Sequence, residues 1–453
     1  MRVHFIAIGG SAMHNLALAL NSKGYQVTGS DDQIFEPSLS RLEKVGILPK
    51  EMGWFPEHIS PDLEAIILGM HARKDNPELL KAQELGLKIY SYPEYIYEQS
   101  KDKKRVVIGG SHGKTSITSM ILHVLNHKKM PFDYLVGAQL DGFERMVQLS
   151  DAPLIILEGD EYLSSPIDLT PKFLWYQPHV ALLSGIAWDH INVFPTFELY
   201  KKQFQLFAET IMPGGSLVYF SGDNYLNDIA SSDLKEIKKL PYHTPEHYIA
   251  DEKTHLTTKD QDIPLEIFGN HNLQNLEGAR LVCQEIGISA ADFYDAIQTF
   301  KGAAKRLELI GNKDKTTVYK DFAHSPSKLK ATVSAVKNQY RNRKVVALME
   351  LHTFSSLNSD FLKQYEGSMQ EADEAIVYYS PKTIAHKKLD PISIENVKAA
   401  FNQDDLTIYT DSNQLQADFL KMDWNNSVLL LMTSGNFDGV NLNEFGETIL
   451  GQI

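Results

Sequence analysis

The sequence contains only one cysteine, Cys283, which excludes an internal disulfide framework and indicates a reducing compartment. Basic residues are also scarce: 44 Lys and Arg residues stand against 58 Asp and Glu residues, so the formal net charge is −14 at pH 7. Proteins that bind nucleic acids or anionic membranes need a dominant basic surface, and the composition disfavours both classes. No apolar run is as long as a membrane span, and Met1 leads directly into a strand pattern without a signal peptide. We therefore expect a cytoplasmic enzyme that can bind phosphates only in a local basic pocket.

The chain of 453 residues is too long for one hydrophobic core, and it shows neither internal repeats nor low-complexity tracts. Apolar strand patterns alternate with helical patterns along the chain, which predicts α/β domains with parallel sheets. Three blocks result, covering residues 1–104, 105–305 and 306–453. The charged stretch EQSKDKKR, residues 98–105, is interpreted as the linker between the first two blocks.

A candidate phosphate-binding loop lies in VVIGGSHGKTSITSM, residues 106–120. An apolar strand leads into a glycine-rich turn and then into a helix, so backbone N–H groups and the positive helix end point at one place. Lys114 supplies a point charge for phosphate oxygens, and Thr115 supplies a hydroxyl ligand for Mg²⁺. The general pattern GxxxxGK[ST] requires glycine where Ile108 stands, so the turn is a variant. The alternative is a helix start that contains Gly-Lys-Thr by chance.

Three carboxylates follow a later apolar strand, in ILEGDEY at 156–162. Glu158, Asp160 and Glu161 end this strand where parallel sheets place their sites, and their oxygens suit a divalent cation that bridges phosphates. Taken alone, the stretch is better explained as a solvated acidic loop. Because it lies downstream of the phosphate loop in the same block, it becomes a candidate metal site.

Histidine occurs beside polar residues in three further motifs. In IAWDHINVF, His190 either holds a second Mg²⁺, orients a carboxylate or is an ordinary polar residue. In FGNHNLQN, either Asn270 or Asn272 caps the following helix, or the Asn and His271 side chains read an adenine edge. In YKDFAHSP, Asp321 either bonds a ribose hydroxyl or is a turn residue, and His324 either faces a ligand between domains or is incidental.

The N-terminal turn AIGGSAM, followed by Asp31, imitates a dinucleotide fingerprint. Matched to GxGxxG, it supplies one glycine of three, Gly9, with Ala7 and Ala12 at the other positions. It is therefore a poor signal for NAD. As a turn that binds a pyrophosphate it remains reasonable, since Gly9 and Gly10 let the backbone approach a ligand.

Taken in order, these motifs resemble those of the Mur ligase family, the ATP-dependent amide-forming enzymes of bacterial cell-wall synthesis. The family loop G-T-x-G-K-T/S-x is matched by GSHGKTS, and the family does not require the outer glycine that Ile108 replaces. E-A-D-E is matched by EGDE, the D-H pair by Asp189-His190, and G-x-H-N-x-x-N by GNHNLQN. Arg306 in KRLE matches the arginine of the R-R-x-E junction, and DFAHSP matches D-[YF]-[AG]-H-x-P. The resemblance covers essentially the whole chain.

The resemblance implies a three-domain α/β architecture. A Rossmann-like domain would bind the UDP-sugar (1–104), a central P-loop ATPase-like domain would bind ATP (105–305), and a Rossmann-like C-terminal domain would bind the incoming amine (306–453). With ATP and Mg²⁺, the lactyl carboxylate of UDP-N-acetylmuramate would become an acyl phosphate, which an amino acid or murein tripeptide would attack. We expect domain closure to assemble the site and exclude water. The oligomeric state, monomer or homodimer, stays open.

The family's functional residues are carried over motif by motif. Residues implied in catalysis are Lys114, His190, Arg306 and His324. Residues implied in ATP binding are Gly110, Ser111, His112, Gly113, Lys114, Thr115, Ser116, His271, Asn272, Asn275, Arg306 and Asp321. Residues implied in UDP-sugar binding are Gly9, Gly10, Ser11, Met13 and Asp31. Residues implied in holding Mg²⁺ are Thr115, Glu158 and His190.

The identity of the amine is less well defined. HFIAIGGSAM and VTGSD resemble family members that act on UDP-N-acetylmuramate, and EGDEY, KRLEL, YKDFAHSP and MTSGNFDG are more like the peptidoglycan-recycling members. The expected amine is thus L-alanyl-γ-D-glutamyl-meso-diaminopimelate, with L-alanine and primary synthesis as the close alternative. The departures are Ala187, Asn192, Ser325 and the loop MELHTFSS (349–356), which lacks the usual proline and arginine.

Two interpretations from other classes compete with the ligase. An NAD-dependent oxidoreductase built on the N-terminal block would give Lys114 no role. A non-catalytic nucleotide-binding regulator on an eroded scaffold would be supported only by the departures from the family pattern. Retention of Lys114, Thr115, Glu158, His190 and Asp321 favours an active ligase.

Overall fold

Parallel sheets flanked by helices make up most of the described chain, as the strand–helix alternation predicts. The structure is a computed structural model that describes residues 1–140, 142–188, 193–234, 236–303 and 306–452. The chain divides into two compact units, which are described separately. The first contains residues 1–243 and 274–297, and the second contains residues 244–273 and 298–453.

The first unit begins with a small parallel sheet. Its strands and helices alternate as β1 (Arg2–Ile6), α1 (Ser11–Ser22), β2 (Gln26–Ser30), α2 (Ser38–Lys44), β3 (Ala65–Leu68), α3 (Pro77–Glu84), β4 (Ile89–Ser91) and α4 (Tyr92–Ser100). The strand order is β2-β1-β3-β4. Strand β3 is buried along its whole length, as a parallel strand covered on both faces should be.

A seven-stranded sheet follows in the same unit. Its elements are β5 (Lys104–Gly109), α5 (Lys114–His127), β6 (Asp133–Leu135), β7 (Val147–Gln148), β8 (Leu154–Glu158), β9 (Val180–Leu183), α6 (Phe197–Glu209), β10 (Ser216–Phe220), α7 (Asn224–Ser231) and β11 (Lys238–Tyr242). The order is β11-β10-β9-β5-β8-β6-β7, and only β7 is antiparallel to its neighbour. Strands β9, β5 and β8 are adjacent and parallel, so the loops after them meet at one edge of the sheet.

The two sheets of the first unit are packed together. One hydrophobic cluster contains core residues of both, and α1 lies against β7. The Asn15 side-chain oxygen accepts the N–H of Met146 at 2.9 Å, and Arg145 donates to the Leu18 carbonyl at 3.2 Å. The seven-stranded sheet and the small N-terminal sheet therefore form one body.

The charged stretch at 98–105 is a tight junction and not a loose linker. Its first residues end α4 and its last begin β5. Arg105 is 2% exposed, and its guanidinium donates to the carbonyls of Ser100 (3.0 Å), Lys101 (2.8 Å) and Tyr176 (2.8 Å). This arginine is buried because its guanidinium satisfies otherwise unpaired carbonyls.

An antiparallel sheet that the sequence patterns did not reveal opens the second unit. It consists of β12 (His247–Ala250), β13 (Lys253–Thr257) and β14 (Asp262–Leu265). Helices α8 (Asn270–Glu285) and α9 (Ala290–Ile297) follow along the chain. The boundary between the units falls within α8, after Leu273, so the rest of α8 and all of α9 belong to the first unit.

Within the first unit, α9 packs against α5. The His123 ring of α5 lies 3.0 Å from the Ala296 carbonyl of α9. Cys283 of α8 is completely buried.

The second unit continues with a six-stranded sheet. Its elements are β15 (Glu308–Lys313), β16 (Thr316–Asp321), α10 (Pro326–Gln339), β17 (Lys344–Leu351), α11 (Ser359–Leu362), β18 (Glu374–Tyr379), α12 (Pro381–His386), α13 (Ile394–Phe401), β19 (Thr407–Tyr409), α14 (Ser412–Phe419), β20 (Ser427–Met432) and α15 (Leu442–Gly451). The order is β15-β16-β20-β17-β18-β19, with β15 antiparallel to β16. No helix within the described ranges is long and apolar enough to cross a membrane.

Candidate active site

The candidate phosphate loop forms a tight turn between β5 and α5. Gly110 has φ +126° and Gly113 has φ +79°, conformations that favour glycine. A Cβ at Gly110 would collide with the Ser184 hydroxyl, and a Cβ at Gly113 would collide with Oδ1 of Asn275. No described side chain caps α5, so its first N–H groups are available to an anion.

Lys114 is held at the mouth of this turn. Its ammonium donates to the Gly110 carbonyl and to Oε2 of Glu161, both at 2.8 Å. Burial alone would lower the pKa of Lys114, but the nearby carboxylates, led by Glu161, outweigh this and hold the pKa above its ordinary value. Lys114 therefore keeps its positive charge, as a phosphate ligand must.

Thr115 and Glu158 bring two oxygens together beside the loop. The Thr115 hydroxyl donates to Oε1 of Glu158 at 2.8 Å, and the N–H of Gly137 donates to Oε2 at 2.8 Å. Adjacent ligands of an octahedral Mg²⁺ at about 2.1 Å stand roughly 3 Å apart, so this pair fits neighbouring positions on the ion. Among the described residues, no group of three or more His, Cys, Asp or Glu side chains could hold a metal by itself. The site thus fits a Mg²⁺ that also binds phosphate oxygens and water.

The three carboxylates of ILEGDEY have different partners. Oδ2 of Asp160 accepts from the Lys172 ammonium at 2.6 Å, so Asp160 does not join Glu158. Burial would raise the pKa of Asp160, but Lys172 and Lys114 hold it below its ordinary value. Glu161 pairs with Lys114. Only Glu158 is left in an arrangement suited to a metal.

The remaining predicted residues of the phosphate loop lie nearby. The Ser111 N–H donates to the Gly185 carbonyl at 2.9 Å, and Nδ1 of His112 lies 2.7 Å from the Ser111 carbonyl. Ser116 is buried in the first turn of α5. Asn275 is also buried, with its side chain against Gly113. The first unit therefore brings Gly110 to Ser116 together with Asn275.

The Asp189-His190 pair lies outside the described residues, as does Asn192. The segment that leads to it is described, and the N–H of Ala187 donates to Oγ of Ser111 at 2.9 Å. The hydroxyl of Tyr200, on α6, lies 2.8 Å from the same Oγ. Motif spacing gave no signal for Tyr200, because it lies in an ordinary amphipathic helix.

The N-terminal turn is built around Asp31. Its Oδ2 accepts the N–H of Gly9 at 2.7 Å, and a Cβ at Gly9 would lie 2.8 Å from Ile34. Burial raises the pKa of Asp31, although the Gly9 N–H favours the charged form. Ala7 has φ +69° at the start of this turn. Asp31 therefore shapes the turn directly.

The other predicted UDP-sugar residues differ in exposure. Ser11 is exposed at the start of α1, next to Gly10. The Met13 side chain is 5% exposed and belongs to the hydrophobic core, and the predicted role of Met13 in binding the UDP-sugar stays a prediction. Asn15, which the motif did not single out, donates to the Ser11 carbonyl at 2.8 Å.

In the second unit, Asp321 ends β16 and organises the loop after it. Its carboxylate accepts the N–H groups of Leu307 and Ala323, the latter at 2.7 Å. Burial raises the pKa of Asp321, although the Leu307 N–H and the Arg306 guanidinium favour the charged form. Arg306 lies 5.0 Å from the Phe322 ring centroid.

His324 and the adenine candidates also belong to the second unit. The His324 ring meets the Phe322 ring edge-on at 5.1 Å, and its Nδ1 lies 2.8 Å from the Phe322 carbonyl. His271 and Asn272 lie in the first turn of α8. The Asn272 amide nitrogen donates to the Phe268 carbonyl at 3.0 Å, which links the first turn of the helix to the end of the preceding loop.

The altered loop MELHTFSS contains a buried carboxylate that the sequence did not single out. Glu350 is 1% exposed at the end of β17 and accepts the Thr433 hydroxyl and, at 3.1 Å, the Phe437 N–H. Nδ1 of His352 lies 3.4 Å from the other Glu350 oxygen. The loop is therefore tied to the end of β20, the neighbouring strand.

Family models match most of the chain. The catalytic domain of the Mur ligase family matches residues 2–104, the Mur ligase middle domain matches 108–283, and the Mur ligase glutamate ligase domain matches 305–435. The chain belongs to the Mur ligase family. The three-domain α/β architecture expected from the motifs is thereby confirmed, and the first domain and most of the middle domain are packed in one compact unit.

Individual proteins similar to this Mur ligase include the UDP-N-acetylmuramate–L-alanine ligase of Caldicellulosiruptor bescii, which is 32% identical over 386 residues, 82% of each chain. The crystal structure of the UDP-N-acetylmuramate–alanine ligase of Thermotoga maritima has a TM-score of 0.70 at 19% identity, over 100% of this chain and 99% of that one. A murein peptide ligase from Psychrobacter arcticus has a TM-score of 0.62 at 22% identity, with the same coverage. At these identities the two structures support the fold alone.

As a Mur ligase, the protein is an ATP-dependent enzyme that forms carbon–nitrogen bonds in peptidoglycan synthesis. The oxidoreductase interpretation gave Lys114 no role and is inconsistent with this assignment. The non-catalytic regulator is disfavoured too, because the described loop retains a charged Lys114 and the Thr115–Glu158 pair.

Proposed function

We propose that this Mur ligase joins the lactyl carboxylate of UDP-N-acetylmuramate to an amine, with conversion of ATP to ADP and phosphate. The arrangement around the phosphate loop carries the proposal. It combines a charged Lys114, the uncapped N-terminus of α5, and Thr115 beside Glu158. Together these groups suit a nucleotide phosphate chain with its divalent cation.

Charge neutralisation is the main task of these residues. A carboxylate that attacks a phosphate chain is repelled by it, so cationic groups must offset the charge on the transferred phosphoryl group. Lys114 would contact that group, and Thr115 and Glu158 would hold Mg²⁺, which supplies further positive charge when bound. The carboxylate oxygen forms a bond to the terminal phosphorus while the bond to ADP breaks. The amine nitrogen then bonds to the acyl carbon, loses a proton and displaces phosphate.

The other predicted residues keep their proposed roles. His190 would hold a second Mg²⁺, Arg306 would contact phosphate, and His324 would face the reacting groups. Residues proposed to bind the UDP part are Gly9, Gly10, Ser11 and Asp31. Residues proposed to bind the adenosine part are His271, Asn272 and Asp321, and Asn275 is proposed to bind ATP.

For the amine we propose L-alanyl-γ-D-glutamyl-meso-diaminopimelate. The support is the likeness of EGDEY, KRLEL, YKDFAHSP and MTSGNFDG to the recycling members of the family. L-alanine is the second candidate. It is favoured by the relative with 32% identity, which is named as an L-alanine ligase.

Phosphate release with ATP, Mg²⁺ and UDP-N-acetylmuramate tests the proposal, with the tripeptide and L-alanine compared in parallel. We expect turnover with the tripeptide and none when Lys114 is replaced in Lys114→Ala. Turnover with L-alanine alone would assign the enzyme to primary synthesis. Full turnover by Lys114→Ala, or none by the natural chain with either amine, would contradict the proposed reaction.

A further inference from the structure

A continuous line of hydrogen bonds joins the phosphate-loop lysine to helix α6. The Lys114 ammonium donates to Oε2 of Glu161 at 2.8 Å, and the Tyr200 hydroxyl donates to Oε1 of Glu161 at 2.7 Å. The Tyr200 oxygen lies 2.8 Å from Oγ of Ser111, which accepts the N–H of Ala187 at 2.9 Å. The line therefore has the lysine at one end and the turn after β9 at the other.

The direction of donation along this line follows from its chemistry. An ionised carboxylate only accepts hydrogen bonds, so the single proton of the Tyr200 hydroxyl is committed to Glu161. Ser111 must then donate its own proton to the Tyr200 oxygen, while it accepts from the Ala187 N–H. The bonds from Ser111 to Tyr200 and from Tyr200 to Glu161 run in one direction, so they polarise each other and hold the Glu161 carboxylate in place beside Lys114.

Burial restricts the movement of the groups at the centre of the line. Tyr200 is fully buried, and the side chain of Glu161 is 1% exposed. The Tyr200 ring meets the rings of Phe194 and Phe204 edge-on, at 5.6 and 5.1 Å. A carboxylate in such surroundings is tolerated only when its oxygens are paired, and Lys114 and Tyr200 each bond one of them.

We infer that Tyr200 is a positioning residue for the nucleotide. Through Glu161 it fixes the ammonium of Lys114, and through Ser111 it fixes the backbone of the phosphate turn. The inference rests on the proposed function, in which Lys114 contacts the transferred phosphate. Tyr200 would act through its bonds to Glu161 and Ser111. Its effect is to order two parts of the loop before the nucleotide arrives, which lowers the entropy lost on binding.

Tyr200→Phe tests this role, because it keeps the ring and removes the hydroxyl. A hydrogen bond to a charged group corresponds to about 10- to 100-fold in an equilibrium constant, so the Kd for a non-hydrolysable ATP analogue with Mg²⁺ should rise by about that factor. The KM for UDP-N-acetylmuramate should stay unchanged. The matched control is Tyr95→Phe, since the buried Tyr95 hydroxyl has no hydrogen-bond partner in the described part of the chain. It should change neither value.

A double-mutant cycle separates positioning from simple stabilisation. If Tyr200 acts through Glu161, Tyr200→Phe should weaken nucleotide binding far less in a Glu161→Gln background than in the natural chain. Fully additive losses, or an equal loss of affinity for both substrates, would overturn the inference. If Tyr200→Phe fails to fold, Ser111→Ala interrupts the same line at its other bond. Its loss of nucleotide affinity should shrink in a Glu161→Gln background, whereas a direct contact between Ser111 and ATP would give an equal loss in both backgrounds.

The outcome also distinguishes this inference from the proposed function. A natural chain that binds no ATP analogue would contradict the proposed function. A natural chain that binds the analogue, with Tyr200→Phe binding equally well, would overturn the role of Tyr200 alone.

Discussion

Gly113 has little conformational freedom, because both its backbone and its surroundings exclude a side chain. Its φ is +79°, and Oδ1 of Asn275 occupies the place of a Cβ. We predict that Gly113→Ala weakens binding of an ATP analogue at least about fivefold, since the collision with Asn275 and a strain of about 1–2 kcal/mol for a left-handed alanine displace the turn from the conformation that binds phosphate. Isothermal titration calorimetry measures the change.

Gly142 provides a matched control for this substitution. It has the same φ of +79°, but a Cβ there would meet nothing within 4 Å. Gly142→Ala should therefore lower the stability of the protein through backbone strain alone and leave nucleotide affinity unchanged. Equal affinity losses in both variants would show that the contact with Asn275 has no part in nucleotide binding.

Glu158 is the carboxylate best placed for Mg²⁺, because it faces the Thr115 hydroxyl. In Glu158→Gln the loss of charge should raise the Mg²⁺ concentration for half-maximal phosphate release about tenfold or more, in line with the loss of a charged metal ligand. Asp160→Asn is the comparison, since Asp160 pairs with Lys172. A Mg²⁺ dependence shifted by Asp160→Asn and not by Glu158→Gln would contradict the assignment.

Among the secondary-structure elements, the junction of α4 and β5 depends on Arg105. Its guanidinium satisfies carbonyls of α4 and of the segment before β9. Arg105→Met should lower the free energy of unfolding by about 2–5 kcal/mol, because several buried carbonyls lose their donor. Urea denaturation followed by circular dichroism measures it. Lys104 is the neighbouring residue, and its side chain is exposed. Lys104→Met should therefore lower the free energy of unfolding by less than about 1 kcal/mol. Equal losses of stability in the two variants would contradict the role of Arg105 as a buried donor.

The sequence predicts the elements that carry their own signal. Strands β3, β8 and β20 contain the apolar runs AIIL, LIIL and VLLLM, which by themselves predict buried strands. Strand β13, KTHLT, was missed because it alternates buried and exposed residues over only five positions. Such a short, polar pattern gains its strand conformation from its neighbours and not from local preference.

The same distinction applies to the site. Lys114, Thr115 and Glu158 lie in sequence motifs that by themselves predict a phosphate and metal site. Tyr200 gave no such signal, since its contact with Glu161 arises only when α6 packs over the sheet. No sequence signal pointed to Arg105 either, since only the fold shows which carbonyls its guanidinium bonds.

For the whole molecule, separate hydrophobic cores in the two units predict separate unfolding events. Leu157 belongs to a core of the first unit and Leu430 to a core of the second. Each replacement by alanine should cost about 2–5 kcal/mol in its own unit. Differential scanning calorimetry of the full chain should show Leu157→Ala lowering one transition and Leu430→Ala lowering the other. A single transition lowered equally by both would contradict independent cores.

Domain closure, expected from the sequence, stays a prediction for the whole molecule. Small-angle scattering with and without an ATP analogue plus UDP-N-acetylmuramate tests it. The radius of gyration should fall when both ligands are present; an unchanged value would count against closure.

The single cysteine gives this protein a built-in reporter of opening. Cys283 is completely buried on α8, and burial raises the pKa of its thiol, so it resists thiol-reactive reagents while the first unit is folded. The alkylation rate of Cys283 therefore reports how often the core of the first unit opens to solvent. Because Cys283 is buried, it should not compete for a thiol-reactive fluorophore. One cysteine introduced on the surface of each unit would therefore be labelled selectively. The distance between the two labels could then be followed in single molecules during turnover.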